Sequence, residues 1–171
     1  MKCSICNNLL NKTKKLYHYT ESGLDNVYLV GIDVFKCKKC GNVEAKIPRI
    51  DELHLVIAIC IISKKQRLNN KEIRYLRKYM GFKAVDLARK LAISKSTLSR
   101  WEAGTQKIGP TNDKLLRLMV IRYKEEQYYS LFPVRIVDKF ESIGTDVTEK
   151  ERENKIQFNK EHQTYSCVSL P

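Results

Sequence analysis

The chain has 171 residues, 43% hydrophobic and 30% charged, with a net charge of +13 at pH 7. That is the composition of a soluble globular chain holding one or two small domains. No apolar stretch follows Met1 and the most apolar run, residues 53–62, is too short for a bilayer, which argues against a leader or a membrane span and for a cytoplasmic protein. The excess of Lys and Arg suits partners that carry phosphate, nucleic acid or an anionic membrane surface, and charge alone does not choose between them.

Residues 1–48 read as a small β-rich module. Cys3 and Cys6, then Cys37 and Cys40, form two C-x-x-C pairs. Four thiolates at this spacing are the donor set of a closed, structural zinc site, tetrahedral at about 2.3 Å with no position left for water. The readings set against zinc are iron or another metal, two unpaired motifs, and a redox C-x-x-C, for which the βαβ context is missing. Lys2, Lys36, Lys38 and Lys39 flank the thiolates and offset their negative charge. Leu16, Tyr17 and Tyr19, then residues 27–35, favour strands, so a hairpin or three-stranded sheet carries the two knuckles. Gly41 suits a tight turn behind Cys40. His18, His54 and His162 are spare, Cys60 reads as a small core residue and Cys167 as a free thiol.

Residues 49–67 read as a connecting helix. Pro48 stops the strands, Asp51 is the expected N-cap, and Leu53, Val56, Ile57 and Cys60 recur at helical spacing. Leu55, Ile59, Ile61 and Ile62 make the helix apolar nearly all round, so it has to be covered on more than one side.

Residues 68–123 carry four further helices. Ile73, Leu76 and Met80 form the inner stripe of the first, which Gly81 ends. Val85, Leu87, Ala88 and Leu91 belong to a short second. Ser94 caps the third, whose inner residues are Leu98 and Trp101 and which ends at Gly104. The fourth runs from Thr111 to about Tyr123, with Leu115, Leu118, Met119 and Arg122 at helical spacing. Residues 124–171 form a C-terminal extension, in part disordered. In it residues 125–132 extend the helix, residues 142–155 look like an exposed linker, and residues 163–171 are a strand or a frayed tail.

The outward residues of the third helix are Lys95, Ser96, Ser99 and Arg100. Lys and Arg donate to guanine O6 and N7, and Ser serves either kind of base. Lys83, Arg89, Lys90 and Lys107 are placed to meet the sugar-phosphate backbone, and Ser94 leaves backbone amides at the helix start for acceptors. Residues 73–104 resemble the Xre/Cro-type helix-turn-helix of bacterial and phage repressors, in the order "IRxLRKxxG", "xLAxxL", "SxxTLSRWExG". The resemblance implies double-stranded DNA as partner, Ala88 at the close approach of the second and third helices, and an ion pair between Arg77 and Glu102. The Thr-Gln or Ser-Gln that usually opens the second helix is replaced by Lys83 and Ala84.

The order of parts is also similar to MqsA-like antitoxins, in which a YgiT-type zinc finger precedes an Xre-type domain. That similarity covers residues 1 to about 122. It implies a zinc module that neutralises a toxin protein and a helix-turn-helix that dimerises and represses its own operon.

The expectation is therefore an α+β chain, with a small β-rich four-cysteine zinc module followed by an all-α helix-turn-helix domain. It would act as a sequence-specific DNA-binding regulator, a repressor, with one structural zinc and no enzymatic activity. The alternatives are an antitoxin and a zinc-dependent interaction scaffold. One recognition helix covers few base pairs, so a homodimer is expected, pairing through the fourth helix and Tyr128, Tyr129, Leu131 and Phe132.

Overall fold

The computed structural model describes residues 1–13, 16–128 and 154–168. Strands β1 (Leu10–Thr13), β2 (Tyr17–His18), β3 (Val27–Val30), β4 (Asp33–Cys37) and β5 (Val43–Lys46) precede five helices. These are α1 (Ile50–Ser63), α2 (Asn70–Tyr79), α3 (Ala84–Lys90), α4 (Lys95–Ala103) and α5 (Pro110–Tyr128), and a hairpin of β6 (Asn154–Asn159) and β7 (Thr164–Cys167) follows. The fold is α+β.

Two sheets share the β-structure. The first is β1-β4-β5, all antiparallel, with Cys37 at its end opposite Leu10. The second is ordered β2-β3-β6-β7. In it β3 and β6 run parallel, Val27 opposite Asn154 and Val30 opposite Gln157. A parallel pair needs a long crossover, and here β4, β5 and all five helices lie in the chain between the two strands. β3 and β4 are joined through Gly31 at φ 83°, and a Cβ there would stand 2.4 Å from the carbonyl oxygen of Phe158. Only glycine fits both the turn and the approach of β6.

Val27 and Leu29 alternate with less buried neighbours on β3, as Ile156 and Phe158 do on β6, so this sheet has one apolar face. That face and helices α2 and α5 are joined to α1 in one continuous core that runs from Tyr19 and Leu24 to Leu98 and Trp101. Leu53, Leu55, Ile57, Ala58, Cys60, Ile61 and Ile62 are all buried, which is why α1 is apolar nearly all round.

Three expectations are corrected. Asp51 does not cap α1. The helix starts after Arg49, which sits in the left-handed region at φ 45°. There the carbonyl of Arg49 accepts from Glu52 and Leu53, its guanidinium donates to Gln163 O at 2.7 Å, and Pro48 O accepts from the Tyr165 hydroxyl at 2.7 Å. The docked hairpin therefore sets the entry to α1. On α5 the inner stripe is Asp113, Leu116, Arg117, Val120 and Ile121, while Leu115 and Leu118 face outward. An i,i+4 ion pair lies inside and shifts the apolar count by one position. The linker expected over residues 142–155 runs at its end into β6 (Asn154–Asn159), and of the two readings of residues 163–171 the strand holds over Thr164–Cys167, as β7 paired with β6. The side chain of Tyr128, and Tyr129, Leu131 and Phe132 altogether, lie outside the described residues.

Asp113 and Arg117 are fully buried and meet at 2.7 Å. Arg117 also donates to the carbonyls of Ile62 (2.9 Å), Lys64 (2.7 Å) and Gln66 (2.7 Å), and Asp113 accepts from the Leu68 amide at 2.7 Å. The non-helical stretch between α1 and α2 would otherwise bury carbonyls without donors. α5 supplies those donors and so fixes how the two parts of the chain are joined.

Candidate functional site

Two sites emerge, one of sulfur and one of basic residues. The two knuckles are built alike. The Cys3 amide donates to Asn8 O and the Cys37 amide to Asn42 O, both at 2.8 Å. Asn7 and Gly41 return to the carbonyls of Cys3 and Cys37 at 3.0 and 3.1 Å. Each knuckle turns on a residue with positive φ, Asn7 at 59° and Gly41 at 76°. The repeated element is C-x-x-C-(N/G)-N, a short internal repeat that reading the cysteines alone passes over.

The Sγ atoms of Cys3, Cys6, Cys37 and Cys40 all lie within 4.8 Å of one another. Cys3 and Cys40 are 3.6 Å apart, and Cys6 and Cys37 3.4 Å. The edge of a tetrahedron with metal–sulfur bonds of about 2.3 Å is about 3.8 Å, so the four sulfurs fit a closed site. The Nδ2 atoms of Asn8 and Asn42 point at Cys6 Sγ and Cys3 Sγ, at 3.5 and 3.7 Å. Glu44 Oε1 ties the knuckles together, accepting from the Ser4 amide and hydroxyl at 2.8 Å and from Asn42 at 3.0 Å. These outer groups orient the ligands. Asn8, Asn42 and Glu44 were missed in the sequence, and the Asn that ends each knuckle was the available signal.

Electrostatics support the same reading. The Asn8 amide, then its side chain, hold the Cys6 thiol at about 6. The Cys6 amide lowers Cys3. Cys40 is pushed up to about 12: the Asn42 amide favours its thiolate, but Cys6, burial, Cys3 and Cys37 together outweigh it. Thiolates this close repel one another, and a dication bound among them would offset that repulsion. Lys2, Lys36, Lys38 and Lys39 are exposed around the cluster.

The histidines stay out of it. His18 Nε2 meets Asp25 O at 2.7 Å and its ring stacks on Tyr28. His54 bridges the hydroxyls of Tyr19 (3.0 Å) and Tyr75 (2.9 Å), and burial pushes its pKa down. His162 is exposed in the β6–β7 turn. The expectation for Cys167 is corrected: it is bonded to Cys60 as a disulfide, because β7 lies against α1.

The second site is built on α4. Ser94 caps it, its hydroxyl accepting from the Thr97 amide at 3.0 Å and meeting the Ser96 and Thr97 hydroxyls at 2.8 Å. Ser94 therefore offers the interface its helix end and not a spare hydroxyl. Leu98, Trp101 and Glu102 are buried, which turns Lys95, Ser96, Ser99 and Arg100 outward, all exposed. Ala88 is buried where α3 meets α4. Arg77 grips Glu102 through Nε at 2.5 Å and Nη2 at 2.9 Å, and that carboxylate raises the Arg77 pKa. Arg74, unnoticed in the sequence, donates to Glu102 O at 2.9 Å and so holds the end of the helix.

Lys83, Arg89, Lys90 and Lys107 are exposed as well. Lys90 Nζ lies 5.2 Å from the centre of the Phe82 ring, and Phe82 meets Tyr123 edge-on. Arg89 faces Asp86 at 3.6 Å across solvent. Three of the four, Lys83, Arg89 and Lys90, bound or belong to α3, the helix before α4.

Residues 73–119 match the Helix-turn-helix family model. No curated protein and no solved structure matches the chain. Among the described residues no helix is long and apolar enough to cross a membrane.

Proposed function

We propose that this chain is a zinc-containing transcription regulator, a repressor, that works in the cytoplasm and reads double-stranded DNA with α4. The observation that carries the reading is the two-sided build of α4 within the helix-turn-helix segment. Leu98, Trp101 and the Arg77–Glu102 pair hold one side, and Lys95, Ser96, Ser99 and Arg100 stand exposed on the other. Lys95, Ser96, Ser99 and Arg100 contact base edges, while Lys83, Arg89, Lys90, Lys107 and the Ser94 helix end meet phosphates. We assign the cysteine cluster one zinc ion with a structural role, and the chain no catalytic activity. Four thiolates with ordered amide donors around them fit zinc among the metals that take sulfur.

A homodimer on a palindromic site fits the reading. Leu115, Leu118 and Tyr123 leave apolar surface on the outer side of α5, and two-fold symmetry doubles a short readout. The test is retardation of DNA selected from a random pool, over a salt series. Binding that is sequence-selective and falls steeply with salt is expected. Binding indifferent to sequence and salt would leave an interaction scaffold.

A second reading, an antitoxin similar to the MqsA-like proteins with their YgiT-type zinc finger, draws on a separate observation. Ile5 and Leu9 are 71% and 73% exposed beside the cluster, and solvent-exposed apolar residues at a metal-held surface suit a protein partner. An adjacent reading frame encoding a small ribonuclease that the chain inhibits would decide for it.

A further inference from the structure

Outside the four-cysteine cluster, the described residues bring one other pair of cysteines together. Cys60 lies in α1, 3% exposed, and Cys167 ends β7, half-buried. They are bonded to each other, with Cα atoms 6.4 Å apart, inside the usual span of a disulfide. The hairpin also has anchors of its own. Ile156, Phe158 and Tyr165 are buried, Arg49 holds Gln163 O, and Lys160 holds Asp33 at 2.6 Å. Docking therefore does not depend on the bond; docking is what delivers Cys167 to Cys60. The two sulfurs differ in access, since a small molecule in solution meets Cys167 before Cys60.

We propose that Cys167 and Cys60 form a reversible thiol–disulfide exchange site for low-molecular-weight disulfides of the oxidised-glutathione class. The Cys167 thiolate attacks one sulfur of the small disulfide. Its S–S bond breaks, one small thiolate leaves, and a mixed disulfide remains on Cys167. The Cys60 thiolate then attacks Cys167 Sγ and displaces the second small thiolate. Two protein thiols are oxidised, one small disulfide is reduced to two thiols, and the two protons lost by the cysteines pass to the departing thiolates. Excess small thiol runs the sequence backwards. Oxidation fixes β7 on α1, and reduction leaves the hairpin to its non-covalent anchors, so its local opening becomes easier. The cluster cysteines, as ligands of the zinc proposed above, stay out of the exchange. The proposal stands apart from the DNA-binding reading.

The test uses the zinc-loaded full chain, equilibrated over a series of reduced to oxidised glutathione ratios, alkylated and mapped by peptide mass spectrometry. Cys60 and Cys167 should pass in one transition from two alkylated thiols to one linked peptide. Cys60→Ser, or Cys60→Ala if serine prevents folding, should stop at a glutathione adduct on Cys167. Cys167→Ser should take up none at Cys60. Hydrogen exchange over residues 155–167 should slow about tenfold on oxidation. A bond that survives excess reduced glutathione, a pair that stays alkylated at the most oxidising ratio, an adduct on Cys60 in the Cys167→Ser chain, or unchanged exchange would each overturn the proposal.

Discussion

The helical segment from α2 to α5 and the β-structure around the cysteines are held together by different means. In the helices the ends are set by contacts close in sequence. Asn69 and Glu72 close a capping box on α2, Ser94 caps α4, and Gly104 ends it in the left-handed conformation. In the β-structure the partners are far apart. Cys3 stands beside Cys40, Val27 pairs with Asn154, and Asp33 binds both Lys12 and Lys160. Local periodicity can therefore announce the helices, whereas the sheets depend on closure of long loops by the four-cysteine cluster and by a returning hairpin.

The largest break in that comparison should come from the metal. Cys37→Ser removes a ligand from the strand that pairs with both β1 and β5, and binding of this kind contributes about 10–16 kcal/mol of apparent folding energy. Metal analysis should fall from about one zinc per chain to none. Hydrogen exchange should show the β1-β4-β5 sheet unprotected, with α2 to α5 still protected. Retained stoichiometric zinc would contradict the assignment.

Next in size is the buried pair that joins the two regions. Arg117→Met leaves the buried Asp113 carboxylate without its cation and removes the donor from three carbonyls of the 62–66 stretch. The expected loss is about 3–5 kcal/mol, read by urea unfolding of the whole chain. A loss below about 1 kcal/mol would mean that this link carries little.

Gly31→Ala sharpens the comparison on the β side. It forces an alanine to positive φ and drives a methyl toward Phe158 O, 2.4 Å from the ideal Cβ position. Roughly 1–3 kcal/mol should be lost, with faster exchange in β6 and β7 and little change in α4. On the helical side Ser94→Ala removes a single local cap and should cost about 1 kcal/mol. The change should show in the exchange of the first turn of α4 and leave the β-sheets untouched.

What the sequence showed follows the same division. The cluster was legible because C-x-x-C spacing is itself the geometry of a knuckle. The end of α2 at Gly81, the cap at Ser94 and the Arg77–Glu102 pair were legible because each is local or carried by a motif. The inner face of α5 was not, since Arg117 counts as a surface residue until Asp113 and three carbonyls are seen around it. β6 was not, since besides its hairpin partner β7 residues 154–159 pair with Val27 to Val30, more than half the chain away. The Cys60–Cys167 bond was hidden for the same reason: it depends on where the hairpin lands.

The claim that α4 reads DNA is tested most directly by one titration. The parent chain and Arg100→Ala are compared on the sequence selected by the parent and on a scrambled one, at a single salt concentration. Arg100 is exposed on α4 and its side chain makes no hydrogen bond or ion pair among the described residues. The account expects Arg100→Ala to lose roughly 1–3 kcal/mol on the selected sequence and little on the scrambled one. Equal affinity of parent and variant for the selected sequence would contradict it.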